Sequence, residues 1–152
     1  YEFSDFGCPY CKEVAPIISK IPDIFRGKVR WIYKDFPIIE LHKDAQKAAE
    51  AGQCAWEQGK FIQMHEAFFT NQEDLSEGAI LGYAEKEKLN MEKFRECFLS
   101  RKYKNEVESD LREGIDLGIN STPTWIINGY KFSGAFTEEQ FVKMIQELLE
   151  KM

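Results

Sequence analysis

The order of elements that the sequence predicts is typical of an α/β fold in which a block of helices is inserted into a small sheet. Three observations lead to this prediction: a strand pattern at the start, an uninterrupted helical pattern across residues 43–117, and a hairpin signal after residue 118. The predicted order is strand, helix, strand, several helices, β-hairpin and helix. This order indicates an α/β sandwich with a helical insertion rather than a doubly wound sheet.

The first part of the chain predicts a strand, a helix and a second strand. Residues 1–6 predict a short strand, and an amphipathic helix follows from Cys8. The apolar face of that helix is formed by Val14, Ile17, Ile18 and Ile21. Pro16 should kink this helix or end its first segment, because proline lacks the donor of an interior helical hydrogen bond. Alternation over residues 29–33 predicts a second strand that stops near Pro37.

Residues 43–117 contain helix-forming and amphipathic patterns and no strand pattern. Gly59 is expected to divide the first helical stretch, and Ser76 is expected to cap the next helix. Apolar faces then recur at helical spacing in Met91, Phe94, Phe98 and Leu99, and again in Val107, Leu111, Ile115 and Leu117. Gly118 ends this helical block.

The last part of the chain predicts a hairpin and a final helix. The segment TPTWIINGYKFSG contains two strand-like runs joined by Asn128-Gly129, a dipeptide that favours tight hairpin turns. Thr137, followed three residues later by Gln140, forms a capping-box pattern. An amphipathic helix with Phe141 on its apolar face follows.

Length and composition predict a single globular domain. Its 152 residues divide into a core of residues 1–42 and 118–152 and an insertion of residues 43–117. The formal net charge of −6 argues against nucleic acid or an anionic membrane surface as a partner. No apolar run reaches the roughly 18 residues of a spanning helix, and no secretory signal opens the chain. Because the sequence opens directly on a strand pattern, we expect a signal or an anchor to lie outside it.

Cys8 and Cys11 form a Cys-x-x-Cys motif, which serves three kinds of chemistry. A structural zinc site needs about four ligands, usually from two such motifs or from one motif and histidines. The remaining cysteines and histidines show no such spacing: Cys54, Cys97, His42 and His65. An inert disulfide at this spacing would stabilise a fold little, because its small ring removes little entropy from the unfolded chain. The motif therefore predicts redox chemistry and no metal site.

The predicted strand-to-helix junction suits a reactive Cys8. At a helix N-terminus, unpaired N–H groups and the helix dipole stabilise a thiolate. Cys11 follows one turn later and deeper, where it can release a mixed disulfide formed by Cys8. Pro9 and Tyr10 fill the first helical turn, where proline is tolerated, and Tyr10 should lie near the surface and touch substrates. Since no basic residue precedes Cys8, the helix terminus must supply most of the stabilisation.

The segments CPYCKEVAP and STPTWIING resemble the thioredoxin superfamily, and most closely the DsbA-like thiol:disulfide oxidoreductases. The likeness covers nearly the whole chain and implies a thioredoxin fold with a helical insertion before the C-terminal hairpin. In that family a cis proline faces the active cysteines, and the matching residue here is Pro123, preceded by Thr122. The resemblance thus implies an exposed backbone edge beside Cys8, where a substrate strand can pair.

The resemblance also implies an acidic residue beneath the two cysteines. Glu2, six residues before Cys8, matches a buried acidic residue of DsbA-like proteins, and Lys34 matches a lysine that partners it. A carboxylate in that place can accept and return the proton of Cys11. The alternative is that Glu2 is a frayed and solvated residue of the first strand.

The other two cysteines leave two alternatives open. Cys54 and Cys97 can each be a small buried hydrophobic residue, as free cysteines often are. They can instead pair, because DsbA-like sequences sometimes carry a second, non-catalytic disulfide. Closing so long a loop would stabilise the fold by about 4 kcal/mol in the chain-entropy model.

The resemblance implies an enzyme that exchanges disulfides with cysteine-containing protein substrates through a redox-active Cys8–Cys11 pair. No metal, nucleotide or flavin is implied, since the disulfide itself is the redox centre. The implied setting is the oxidative folding of exported proteins in an extracytoplasmic compartment, the periplasm or cell envelope. Electrons would then leave through a redox recycling partner, expected to be membrane-bound.

Three alternatives follow from the same residues. A DsbG-like or DsbC-like reductase or isomerase domain shares the fold, and Tyr10 favours it because DsbA carries a histidine at that position. Glutaredoxins share the CPYC sequence but are shorter and lack the insertion. A non-enzymatic peptide-binding or chaperone module would keep the fold and use the insertion to bind peptides.

Overall fold

The computed structural model describes all of residues 1–152 and contains a four-stranded sheet. Its strands are β1 (Glu2–Ser4), β2 (Tyr33–Asp35), β3 (Thr124–Ile127) and β4 (Tyr130–Ser133), in the order β2-β1-β3-β4 across the sheet. β1 runs parallel to β2 and antiparallel to β3, and β3 pairs antiparallel with β4.

Eight helices pack around this sheet. α1 (Pro9–Ile18) and α2 (Ile21–Ile24) connect β1 to β2, and α8 (Glu138–Glu150) follows β4. The other five lie between β2 and β3: α3 (Ala45–Glu57), α4 (Phe61–Thr70), α5 (Glu77–Lys86), α6 (Met91–Leu99) and α7 (Lys104–Asp116). The predicted α/β fold with a helical insertion between the second strand and the hairpin is confirmed. None of the helices combines the length and apolar character needed to cross a bilayer.

Local side-chain chemistry sets several element boundaries that the sequence predicted. Asn128 and Gly129 both adopt positive φ angles, 48° and 84°, which the tight turn between β3 and β4 requires. The Thr137 hydroxyl accepts the Gln140 N–H, and the Gln140 side chain accepts the Thr137 N–H, so the capping box that opens α8 is complete. The Ser76 side chain caps α5. These predictions are confirmed.

Two boundaries differ in detail from the sequence prediction. α1 continues through Pro16 to Ile18 before it ends, and a separate short helix starts at Ile21. The second strand covers only Tyr33–Asp35, although the alternating pattern starts at residue 29. Its ladder begins there because Glu2, the first residue of β1, aligns with Tyr33, so that residues 29–32 have no β1 residue opposite them.

The two faces of the sheet carry different residues, because neighbours along a strand point to opposite sides. Glu2 aligns with Tyr33 on one side and with Trp125 on the other, and Trp125 packs against α1 and α8. Phe3 aligns with Lys34, and Phe3 belongs to a separate cluster on the α7 side. Glu2 and Lys34 therefore face opposite sides of the sheet.

The insertion packs onto the start of α1 through one continuous apolar core. This core contains 18 buried residues, among them Cys8 and Cys11 and residues of α3 to α6. Cys54 of α3 and Cys97 of α6 form a disulfide with a Cα separation of 5.9 Å, which decides between the two alternatives that the sequence left open. Gly59 separates α3 from α4, as predicted, with a φ of +68°.

Candidate active site

Cys8 is the N-cap residue of α1. Its backbone is extended, with φ −82° and ψ 124°, and Pro9 occupies the first helical position. Cys8 retains 5% exposure, whereas Cys11, one turn further along the helix, is completely buried. Both are free thiols. The start of α1 thus holds one sulfur close to the surface and the other behind it.

The two thiols differ strongly in acidity. Hydrogen bonding by the Cys11 thiol lowers the pKa of Cys8 to about 6, against the opposing effect of burial. The backbone N–H groups of Cys11 and Tyr10 lower this pKa further. Burial raises the pKa of Cys11 well above its usual range, and the neighbouring Cys8 sulfur adds to this effect. Near neutral pH, Cys8 is therefore a thiolate that accepts a hydrogen bond from the Cys11 thiol.

Asp5 organises the turn that leads into Cys8. Its carbonyl accepts the Cys8 N–H at 3.0 Å, and its carboxylate Oδ1 accepts the Gly7 N–H at 2.7 Å. The other carboxylate oxygen accepts the Ile38 N–H at 2.9 Å and lies 2.8 Å from His42 Nδ1. The His42 side chain covers Gly7 so closely that a Cβ at position 7 would lie 2.4 Å from the His42 Cβ. Position 7 therefore needs glycine for space.

Gln72, in the connection between α4 and α5, holds the same turn from the other side. Its Nε2 donates to the carbonyl oxygens of Phe6 and Cys8, at 2.8 Å each. The helical insertion therefore contacts the backbone of the candidate nucleophile directly.

The hairpin brings Thr122 and Pro123 against Cys8. The Thr122–Pro123 peptide bond is cis, and the Cys8 thiol, when protonated, donates to the Thr122 carbonyl at 3.4 Å. The Pro123 carbonyl accepts the Gly134 N–H at 2.9 Å, which fixes this segment to the end of β4. Tyr10, between the two cysteines, is 59% exposed. Cys8 and the Thr122–Pro123 segment thus meet just beneath the surface, next to the exposed Tyr10.

Glu2 lies in the interior and is not a frayed strand residue. It is 1% exposed, and its Oε2 accepts the Trp31 Nε1–H at 2.8 Å. Burial raises the pKa of Glu2 to about 7, partly offset by the hydrogen bond from Trp31. Ser4, two residues along on the same face of β1, is also buried, and its hydroxyl is near both the Glu2 carboxyl group and the Cys11 thiol.

Lys34 does not partner Glu2, so that prediction is wrong. Lys34 Nζ donates to Asp110 Oδ1 at 3.0 Å and to Glu113 Oε2 at 2.8 Å, both on α7. The reason is strand alternation: Tyr33 shares a face with Glu2, so its neighbour Lys34 must point to the opposite face. The indole of Trp31 takes the place that was predicted for the lysine.

The two histidines are engaged in contacts of their own. His42 contacts Asp5, and the His65 ring is buried among aromatic rings, with centroid distances of 5.3 Å to Trp31 and 5.0 Å to Phe69. Burial lowers the pKa of His65 to about 4. No group of three or more histidine, cysteine, aspartate or glutamate side chains has a geometry that suits a metal ion.

Sequence reasoning missed five residues of this site: Ser4, Asp5, Trp31, His42 and Gln72. The segment SDFGC contains the acidic residue and glycine of the turn, but nothing in the sequence shows which groups they bind. Gln72 lies 64 residues from Cys8, and no local pattern indicates that the two meet. The Gln72 contacts follow only from how the insertion docks on the start of α1.

A protein-family model described as Thioredoxin matches residues 1–147. The chain therefore belongs to this thioredoxin family. Among solved structures, it is similar to the thiol-disulfide exchange protein alpha-DsbA2 from Wolbachia pipientis, with a TM-score of 0.85 and 25% identity over 97% of this chain and 79% of that one. It is also similar to a thioredoxin-like oxidoreductase from Silicibacter pomeroyi, with a TM-score of 0.86 and 23% identity over 98% and 84% of the two chains. The resemblance to DsbA-like proteins is confirmed.

Curated relatives include much longer proteins. The Na(+)/H(+) antiporter NhaA 1 of Salinispora arenicola is 34% identical over 139 residues, which are 91% of this chain and 21% of that protein. The chain thus spans about a fifth of the length of the curated relatives that it matches first. The similarity therefore concerns only a small part of each of these proteins.

Proposed function

We propose that this chain is a thiol:disulfide oxidoreductase that exchanges disulfides with protein substrates through Cys8 and Cys11. The observation that carries the proposal is the arrangement at the start of α1: an acidic Cys8, a buried Cys11 behind it, and the Thr122 carbonyl 3.4 Å from the Cys8 sulfur. A thiolate at a helix N-terminus is the reactive species in such exchange. The fold and the matched family agree with this chemistry.

The oxidase direction starts from a Cys8–Cys11 disulfide. A substrate thiolate attacks the Cys8 sulfur, the bond between the two cysteines breaks, and Cys11 leaves as a thiolate that takes up a proton. A second substrate thiolate then attacks the substrate sulfur of the mixed disulfide and releases Cys8 as a thiolate. The substrate gains one disulfide, and its two electrons remain on the Cys8–Cys11 dithiol.

In the reductase direction the same steps run in reverse. The Cys8 thiolate attacks a substrate disulfide, and Cys11 then loses its proton and displaces the substrate thiolate. Glu2 is suited to exchange this proton, because burial holds its pKa at about 7 and the Ser4 hydroxyl is near both Glu2 and Cys11. A carboxyl group that titrates near neutrality can both accept and return a proton under working conditions.

A substrate would bind as an extended strand beside Thr122 and Pro123, with its cysteine facing Cys8. Tyr10, exposed between the two cysteines, would contact the residues next to the reacting cysteine. Residues 1–42 and 118–152 would form the catalytic core of a single domain, and residues 43–117 would extend the substrate surface. No cofactor beyond the redox-active disulfide is proposed.

We place this activity in an extracytoplasmic, oxidising compartment, where the buried Cys54–Cys97 disulfide would persist. Oxidative folding of exported proteins fits this setting best. The reduced enzyme would then pass its electrons to a recycling partner, which we expect to be membrane-bound.

The direction of exchange is tested by the reduction potential. A Cys8 pKa of about 6 falls between those of thioredoxin, ~7, and DsbA, ~3.5. The potential is therefore expected between about −270 mV and about −120 mV. A value near the upper limit favours an oxidase, and a value near the lower limit favours a reductase or isomerase.

The class of function is tested with a Cys8→Ser variant. Wild-type protein should reduce insulin or oxidise a reduced unfolded protein, and the variant should do neither. A chaperone module that only binds peptides would suppress aggregation equally well with and without the Cys8 sulfur. Absence of any dithiol exchange by the wild-type protein would overturn the enzyme proposal.

A further inference from the structure

Gln72 makes an unusual pair of contacts beside the candidate nucleophile. The two N–H bonds of its carboxamide are directed at two carbonyl oxygens, those of Phe6 and Cys8, each at 2.8 Å. These carbonyls lie on either side of Gly7, so one side chain holds both ends of the turn that precedes α1. No other side chain donates to either carbonyl oxygen.

The segment that carries Gln72 is itself well braced. The Asn71 N–H donates to the Ala67 carbonyl at 3.0 Å at the end of α4. The Tyr83 hydroxyl on α5 donates to the Asp74 carbonyl at 2.7 Å, and Leu75 is buried in the core of the insertion. The backbone that carries the Gln72 carboxamide is therefore fixed in place. A side chain can hold another group in position only from such a fixed backbone.

The Cys8 carbonyl matters because it starts the helix. It accepts the Lys12 N–H at 3.2 Å, the first hydrogen bond of α1, in addition to the Gln72 N–H. Cys8 is the extended N-cap residue of α1, and the backbone N–H groups of Tyr10 and Cys11 in the first turn lower the pKa of its thiol. Rotation of the Cys8 backbone would move the sulfur away from these groups and from the Thr122 carbonyl.

We propose that Gln72 is a positioning residue for disulfide exchange, which fixes the Phe6 and Cys8 carbonyls and thereby holds the Cys8 sulfur at the start of α1. The inference rests on the proposed function and adds a role for the helical insertion. Through Gln72 the insertion sets how well the Cys8 thiolate is stabilised. Loss of the carboxamide donors destabilises the reduced form, with its Cys8 thiolate, relative to the disulfide form. The protein therefore becomes a weaker oxidant.

The test compares two variants of Gln72 in the full chain. Gln72→Leu removes both donors, and the near-isosteric Gln72→Glu replaces them with a carboxylate that repels the two carbonyls and adds negative charge near Cys8. In both variants the pH titration of the Cys8 thiolate should shift upward. The equilibrium with glutathione should shift toward the protein disulfide by about tenfold, or about 30 mV. The shift should be larger in Gln72→Glu.

Gln58→Leu is the matched control. Gln58 also makes two hydrogen bonds to backbone groups, donating to the Asn90 carbonyl at 3.2 Å and accepting the Asn90 N–H at 2.7 Å. This contact joins the end of α3 to the start of α6, and the control therefore loses a similar set of interactions away from Cys8. Its stability should fall, whereas its thiolate titration and glutathione equilibrium should match those of the wild type.

Titrations of Gln72→Leu and Gln72→Glu that coincide with that of Gln58→Leu would overturn the positioning role. Should Gln72→Leu fail to fold, Gln72→Glu alone decides the question. The proposed function is tested separately, by the activity of the wild-type protein. A wild-type protein without exchange activity would refute that function, while the thiolate titrations would still decide whether Gln72 positions Cys8.

Discussion

At the scale of single residues, burial of Glu2 makes the stability of the protein depend on pH. Its pKa is about 7 in the folded protein, raised by burial from the ordinary value of 4.5. A group whose pKa is raised by folding binds more protons in the folded state between these two values. Its contribution to stability is therefore complete below about pH 4.5 and is lost as the pH rises through 7.

The Glu2→Gln variant tests this prediction. In the wild type, ionisation of Glu2 should lower the free energy of unfolding by about 3 kcal/mol between pH 4.5 and 8. The amide of Glu2→Gln stays neutral at every pH, so the variant should not show this loss. Denaturant unfolding at several pH values measures the difference. Glu66→Gln, at an exposed position of α4, is the control for the same change of charge. Parallel pH profiles for wild type and Glu2→Gln would refute the buried-acid assignment.

A second residue-scale prediction concerns the space at Gly7. A Cβ there would lie 2.4 Å from the His42 Cβ and 2.6 Å from its Cγ, so Gly7→Ala must displace the histidine or the turn. We expect a loss of about 1–3 kcal/mol of stability. Disulfide exchange should slow as well, because the turn positions Cys8.

Gly78→Ala is the control for this substitution. No atom lies within 4 Å of a Cβ at position 78, which is in α5, and alanine favours helices by up to about 1 kcal/mol over glycine. The control should be as stable as the wild type or slightly more so, with unchanged exchange rates. Equal stability of Gly7→Ala and Gly78→Ala in thermal unfolding would argue against the His42 contact.

The wrong prediction for Lys34 has a specific physical cause. Alternation along a strand shows that Tyr33 and Lys34 face opposite sides, but it does not show which of them aligns with Glu2. Register depends on how β1 and β2 pair, and the sequence contains no turn that fixes it. For the same reason, the sequence does not show that the Trp31 indole reaches Glu2.

At the scale of elements, the Cys54–Cys97 disulfide ties α3 to α6 within the insertion. Replacing both cysteines with alanine should lower the stability by about 4 kcal/mol, because the cross-link closes a 43-residue separation in the unfolded chain. The Cys8–Cys11 potential should change little. Denaturant unfolding and a glutathione equilibrium measure the two quantities, and a protein of unchanged stability would contradict a structural role for the bond.

Element boundaries defined by local chemistry could be predicted from the sequence, whereas the strand boundary and register set by the pairing of β1 with β2 could not. The Asn128-Gly129 turn and the Thr137–Gln140 capping box need only residues close in sequence, and both form as predicted. The start of β2 instead depends on where β1 begins. The alternating pattern from residue 29 therefore predicts a longer strand than the one that forms. Glycines and capping residues lie at the predicted helix ends, whereas Pro16 lies inside α1 and does not end it.

At the scale of the whole molecule, the candidate site combines segments far apart in the sequence. Cys8 meets Thr122 across 114 residues and Gln72 across 64 residues. The first meeting could be predicted from resemblance, because both segments carry recognisable motifs. The second could not, because a single glutamine in a loop has no pattern and its position depends on how five helices pack. The insertion is thus part of the site rather than an appendage.

The most direct test of the proposed chemistry is a pH titration of the Cys8 thiolate in the reduced protein, followed by its ultraviolet absorbance or its rate of alkylation. Wild-type protein should show an inflection near pH 6, and Cys8→Ser should lack it. A single inflection near the ordinary cysteine value of about 8.5 would contradict the account, since the start of α1 would then provide no stabilisation of the thiolate.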